Sequence, residues 1–375
     1  MSLTAYSSMQ TVIGRGNQNA PPCFLETTSG KMLFFYCGNQ ASHGSKDGDI
    51  TLKTATSETA ANAGTFSSAT TLVAHDATYG YQPGGAMQIR EGANAGRIWL
   101  SFLKWRTSGA QLWATQLIYS DDDGVTWSSP STVTSPFSGT STDAVIEGTS
   151  PVAEIVEVPG TSGLELLLPI LGFTGGMPYE SVKLVASTDG GATWTERSVI
   201  HAPESTKAPS EPTAGYIRKS DGNLRLMVGV NYWNSVGPTL LYMKYSDDNG
   251  ATWSASGAGT TIASSATAPP AFIQARDGSL IVVYRNLASG ENAWLIRSTD
   301  YGATWGNSAV LDTDGRYRYG QFGNLLSGRI GLCWGMETIM GGLSTAAGVY
   351  WKSFYQPRFA SGAHGRRRGV TRTRL

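Results

Sequence analysis

SDDDGVTW, from Ser120 to Trp127, returns three times along the chain: STDGGATW from Ser187 to Trp194, SDDNGATW from Ser246 to Trp253, and STDYGATW from Ser298 to Trp305. The copies recur every 50 to 70 residues or so, a period that suits one four-stranded blade of a β-propeller. Within each copy the Asp can accept hydrogen bonds from the amides of its own turn, and the Gly supplies a positive φ. The Trp is placed to pack beneath the turn against its blade. These Asp residues therefore read as structural, and a fifth, decayed copy ends at Gly64-Thr65-Phe66.

A second unit precedes each repeat: a Pro- or Gly-containing entry, a β-rich run, a Gly turn and another apolar run. It occurs at 20–36, 83–102, 150–170, 211–230, 268–285 and 319–334. Asp-Gly and Ser-Gly turns between alternating runs are hairpin signals, and no segment sustains a helical period. Six hairpins predict an all-β, six-bladed propeller of four-stranded antiparallel blades over residues 1–357, followed by a basic Gly/Arg-rich tail over 358–375. The strand near Met9 to Ile13 is expected to complete the last blade beside Gly348 to Phe354, so that the ring has no free edge.

Composition agrees, with 46 Gly and 11 Trp against only 15% charged residues. The 28 basic and 28 acidic side chains balance, so no overall field draws the chain to nucleic acid or a membrane surface. Cys23, Cys37 and Cys333 are too few and too scattered for a disulfide framework or a zinc site, and read as buried thiols. No metal or cofactor is expected. The start, MSLTAYSSMQTVIG, lacks the basic and apolar regions of a signal peptide, which predicts cytoplasmic synthesis with release by lysis as one route outward. The tail reads as a flexible or partner-bound extension rather than a nucleic-acid arm.

With these repeats the chain resembles the sialidase (neuraminidase) superfamily of exo-glycosidases, from about Asn19 to Pro357. The resemblance implies three catalytic groups: an Asp acid/base, and a Tyr nucleophile assisted by a Glu. ASHGSKDGDITLKTA maps the Asp to Asp47, PSEPTAGYIRKSDG maps the Glu to Glu211, and YGQFGNLLSGRIGLCW maps the Tyr to Tyr319. It also implies three arginines that hold a sugar carboxylate, but their positions carry Asn19-Ala20-Pro21, Gly229 and Gly290-Glu291. Bidentate Arg–carboxylate contacts are the strong way to hold an anionic sugar, so cleavage of sialic acid is expected to be absent or very weak. Arg106, Arg285 and Arg318 are the cations that other blades can contribute.

Bland readings stand beside these roles. Asp47 suits an ordinary turn or a calcium ligand, Glu211 a buried ion pair or strand-end cap, and Tyr319 packing with Tyr317 and Phe322. Glu147, in EGTSP, precedes the third inner strand as Glu211 does the fourth, and a carboxylate pair on adjacent blades would suit another kind of glycosidase. Trp105, Trp113, Trp233 and Tyr232 each read more readily as core, but together with Asn231, Asn234 and Asn286 they offer the aromatic faces and short polar groups of a sugar site. The expected ligand is a glycan or cell-surface polysaccharide. Three functions follow: a carbohydrate-recognising propeller that is a diverged glycoside hydrolase or now only binds, a non-catalytic receptor-binding or structural module such as a phage tail component whose basic tail docks a neighbouring subunit, and, third, an intracellular sialidase with a rearranged pocket.

Overall fold

The computed structural model describes residues 3–14, 21–39, 47–107, 111–137, 140–141, 144–147, 155–160, 163–173, 180–202, 207–234, 239–254, 260–312, 316–340 and 343–356. Within these, Trp113, Glu147, Trp233 and Asn234 are described by backbone alone. The basic tail lies outside the described residues.

Six sheets follow one another in chain order, each laid down from an innermost strand outward except for the outermost strand of the sixth. Their innermost strands are Cys23–Glu26, Tyr79–Gln88, Val156–Gly160, Lys207–Arg218, Ala266–Gln274 and Arg316–Asn324, which define blades 1 to 6. Blade 2 is elaborated at its outer edge. There Ser131–Thr132 pairs antiparallel with the third strand, and Ala144–Glu147 pairs with the same strand in parallel. Glu147 therefore does not repeat the position of Glu211 in its own blade, since its backbone lies opposite Ala114 of blade 2.

The apolar interior is divided among six clusters, one at each junction between neighbouring blades. Strand alternation produces this arrangement, because successive side chains leave opposite faces of a blade. In Met32–Gly38, Met32, Phe34 and Tyr36 face blade 6 while Leu33 and Phe35 face blade 2. Such a strand is buried on both faces and reads as a continuous apolar run.

The repeat tryptophans occupy these junctions, so that each meets the preceding blade as well as its own. Trp127 meets Phe35 of blade 1 edge-on with centroids 5.6 Å apart, and Trp253 donates from Nε1 to Ser198 Oγ of blade 3 at 3.0 Å. Each ring is a wedge into the preceding blade. In blade 1 the decayed copy keeps the function: Phe66 packs edge-on to Phe34 in the junction with blade 6, and Gly64 keeps a φ of 73°. A short helix, Glu58–Asn62, replaces the rest of that turn.

Blade 6 has no repeat for a topological reason. Its outermost strand is Gln10–Ile13 from the start of the chain, paired antiparallel with Leu343–Phe354, so no loop joins its third and fourth strands. The seam with blade 1 is tied by a bidentate pair between Arg329 and Glu58, at 2.6 and 2.9 Å. Asn62 Oδ1 also accepts from Trp351 Nε1 at 3.0 Å.

Candidate functional site

In every blade the inner strand runs away from one end of the ring, the second returns to it, and the third leaves it again. Inner-strand starts, second-strand ends and the loops to the third strands therefore share one end, here called the mouth. The Asp repeats follow third strands and lie at the other end, as Ser120 closing Gln111–Ser120 illustrates.

Among the described residues, four inner strands break register near the mouth: between Pro83 and Ala86, Ser210 and Thr213, Thr267 and Ala271, and Tyr317 and Gly320. Bulges of this kind re-aim side chains that a regular pleat would direct into the blade junctions. The inserted residues are Gly84-Gly85 in blade 2, Glu211-Pro212 in blade 4, the run 268–270 in blade 5, and Arg318-Tyr319 in blade 6. Three of the charged or phenolic candidates thus stand in equivalent bulges. Glu211 takes a φ of 50°, a left-handed conformation that costs a non-glycine residue stability.

Glu211 and Tyr319 converge. The Tyr319 hydroxyl donates to Glu211 Oε1 at 2.7 Å, and Asn231 Nδ2 donates to Oε2 at 3.1 Å. Asn231 sits opposite Ser210, immediately mouthward of the blade 4 bulge, and Arg285 sits opposite Thr267 at the matching place in blade 5. Arg285 and Arg318 are the cations that act on both members of the pair. The cluster is thus assembled by three consecutive blades, 4, 5 and 6.

Its electrostatics are those of charge held out of water. Burial pushes the Glu211 carboxyl above the usual carboxylate range, opposed by the Tyr319 hydrogen bond, Arg285, Asn231 and Arg318. Burial, and then the facing Glu211 carboxylate, hold the Tyr319 phenol well above its ordinary value. The Arg285 guanidinium is lowered by burial and by Arg318. Three buried polar atoms of Arg285 and Asn231, the Arg285 Nε and Nη1 and the Asn231 Oδ1, have no hydrogen-bond partner. Buried orphans are rare in folded proteins, and a donor and an acceptor left open at one mouth fit a polar ligand.

Asp47 lies at the same end, reached from blade 1. The adjoining Gly48 carbonyl accepts from the Tyr81 amide of the blade 2 inner strand at 2.7 Å, which sets Asp47 across the ring from Glu211. Arg106 stands opposite Tyr79, four pairs mouthward of the last pair before the blade 2 bulge, nearer the rim than Arg285. Trp105 and Tyr232 are core residues, 8% and 1% exposed, and do not offer open aromatic faces. Asn286 caps a short 3-10 turn by accepting from the Ala288 amide at 2.9 Å.

Sequence reading missed two features of the mouth. The buried Asp49 carboxylate accepts from the His75 backbone amide at 2.7 Å, faces His75 Nδ1 at 2.6 Å and binds Asn39 Nδ2 at 2.5 Å. Asp and His lie 26 residues apart with no motif joining them. Glu291 is the second, an acid whose Oε2 stands 3.5 Å from Arg285 Nη1.

Fold and mouth together define a sialidase-like six-bladed propeller, and residues 161–341 match the family model of a BNR repeat-like domain. The chain is similar to a protein of unknown function from Dyadobacter fermentans, with TM-score 0.68 and 16% identity over 92% of this chain and 99% of that one. It is similar also to the NanB sialidase of Streptococcus pneumoniae, with TM-score 0.65 and 12% identity over 92% of this chain and 70% of that one. An α-L-arabinanase of Penicillium chrysogenum, solved with arabinobiose, aligns with TM-score 0.57 and 16% identity over 93% of this chain and 98% of that one. No curated protein matches the chain by sequence. At these identities the likeness is one of fold.

Proposed function

We propose that this chain binds a terminal sugar at the mouth and cleaves its glycosidic bond, with Tyr319 as nucleophile and Glu211 as the base that activates it. The 2.7 Å hydrogen bond from a buried phenol to a carboxylate two blades away carries the reading. A phenol raised well above its ordinary value is a poor nucleophile alone, and a carboxylate aligned to take its proton removes that handicap. In the first step the Tyr319 oxygen bonds the anomeric carbon, the glycosidic bond breaks, the phenolic proton passes to Glu211, and Asp47 protonates the departing oxygen. Water, deprotonated by Asp47, then displaces Tyr319, which recovers its proton from Glu211. Arg285 and Asn231 present the open donor and acceptor to the sugar's polar groups.

The likeness to a sialidase and to an arabinanase solved with its sugar supports a glycan as the ligand. The test is a panel of 4-methylumbelliferyl glycosides assayed with the natural chain, Tyr319→Phe and Glu211→Gln. Turnover of at least one member should fall about 100-fold or more in both variants, the scale of a lost proton-transfer group. Turnover that survives Tyr319→Phe would remove the nucleophile from the mechanism.

A second reading, a sugar-binding module without turnover, is favoured by one observation: the three positions that resemblance assigns to arginine carry none. A natural chain inert on the whole panel, yet binding a sugar in a manner weakened by Asn231→Ala, would select it.

A further inference from the structure

We propose that Glu291 sets the specificity of this site: it cancels the charge of Arg285, so that the mouth takes an uncharged sugar in preference to one bearing a carboxylate. The inference rests on the glycan reading above and adds the class of sugar.

Glu211, Arg318 and Arg285 act on the Tyr319 phenol, and Glu291 joins the set through Arg285. Arg285 and Arg318 are cations, Glu211 and Glu291 are carboxylates, and the charge of this set sums to zero. Arg285 is 7% exposed, so its charge is little screened by water and a nearby carboxylate counts for more than at the surface. Glu291 Oε2 lies 3.5 Å from Arg285 Nη1, with only 21% of the Glu291 side chain exposed.

Glu291 is fastened to both blades that flank it. Its amide donates to the Asn286 carbonyl of blade 5, and its own carbonyl accepts from the Tyr317 amide of blade 6, both at 3.0 Å. Tyr317 is the last paired residue before the bulge that carries Arg318 and Tyr319. Glu291 also holds a φ of 65°, following Gly290 at 77°, a conformation that Gly or Asn would adopt at lower cost. Tethered on two sides in a left-handed conformation, the acid is held at the guanidinium rather than free to swing into solvent.

A neutralised guanidinium still donates hydrogen bonds, and Arg285 Nε remains open. It can therefore bond a hydroxyl or ring oxygen. A carboxylate brought to the same place would meet Glu211 and Glu291 as like charges and would have to displace one from its partner.

The test uses matched ligands, methyl glucoside against methyl glucuronide and methyl galactoside against methyl galacturonide, with sodium acetate as the carboxylate alone. Binding is measured by calorimetry and by ligand-observed NMR. The natural chain should bind the acidic member of each pair no tighter than the neutral one. Glu291→Gln should shift that ratio toward the acid by about tenfold or more, Glu291→Asp should keep the natural ratio, and adding Arg285→Gln should abolish the shift. An unchanged ratio in folded Glu291→Gln overturns the proposal, as does a tenfold preference of the natural chain for the acid. The latter measurement decides the matter alone if the variant does not fold. If neither member of any pair binds, the glycan reading fails, and acetate still reports on Glu291: binding that appears only in Glu291→Gln supports the charge role, and indifference overturns it.

Discussion

The two ends of the propeller treat a carboxylate in opposite ways. At the repeat end Asp189 accepts from the Ser187 hydroxyl, the Thr193 amide and the Thr193 hydroxyl, at 2.8, 2.9 and 2.5 Å, and the same bonds recur at Asp122, Asp248 and Asp300. Led by the Thr193 hydroxyl, these bonds hold the Asp189 carboxyl at about 2. At the mouth Glu211 is pushed upward by burial, and buried atoms beside it lack partners. One end is arranged to satisfy its own polar groups and the other to leave them for something else.

The sharpest way to break this contrast is to remove a wedge from the repeat end. Trp194 is 4% exposed in the junction of blades 2 and 3, and Trp194→Ala should cost about 3–5 kcal/mol in denaturant unfolding while leaving sugar binding per folded molecule unchanged. Equal loss of binding and stability would show that the ends are not separable. Next in size, Asp248→Ala should lower stability by about 1–3 kcal/mol, since the Thr252 amide and hydroxyl lose their acceptor. A melting temperature within a degree of the natural chain would count against that accounting.

At the mouth the sign reverses. Glu211→Gln should cut turnover about 100-fold or more yet raise stability at neutral pH by about 1 kcal/mol, because it removes a charge from a desolvated place. The smallest effect separates the ends by pH. A carboxyl raised on folding contributes stability that is fully present below its ordinary 4.5 and is lost as pH rises through the raised value, so the gain from Glu211→Gln should shrink on acidification. A carboxyl lowered on folding contributes stability present above its ordinary 3.8 and lost as pH falls toward about 2, so Asp189→Ala should lose its effect only in stronger acid. Parallel pH profiles for the two variants would refute the contrast.

This difference also governs what could be read from sequence. The repeat-end motif is legible because its interactions lie within one octapeptide, so Ser187, Asp189, Gly191, Thr193 and Trp194 appear together. The second partner of each Trp lies in the preceding blade, as Ser198 does for Trp253, and spacing within one repeat carries no trace of it. At the mouth, resemblance reached Glu211 and Tyr319, and Arg285 and Arg318 were named as available cations, but their meeting depends on bulges in blades 4 and 6. Bulge positions follow from register, which an isolated hairpin sequence leaves open. Asp49 with His75, and Glu291 with Arg285, are pairs made by loop paths alone. Trp105 and Tyr232 take the core role that is the commoner reading of a single aromatic near a strand end, and only their grouping in sequence suggested a sugar platform.

The seam in blade 6 bears on how the molecule is made. Gln10–Ile13 leaves the ribosome long before its partner Leu343–Phe354. Contacts of such long separation form slowly, and until they form the last blade presents an unpaired strand to its surroundings. Closure of the ring is therefore an obligatory wait, in which the blades already built hold their shape while the earlier strand is kept unspent for the later.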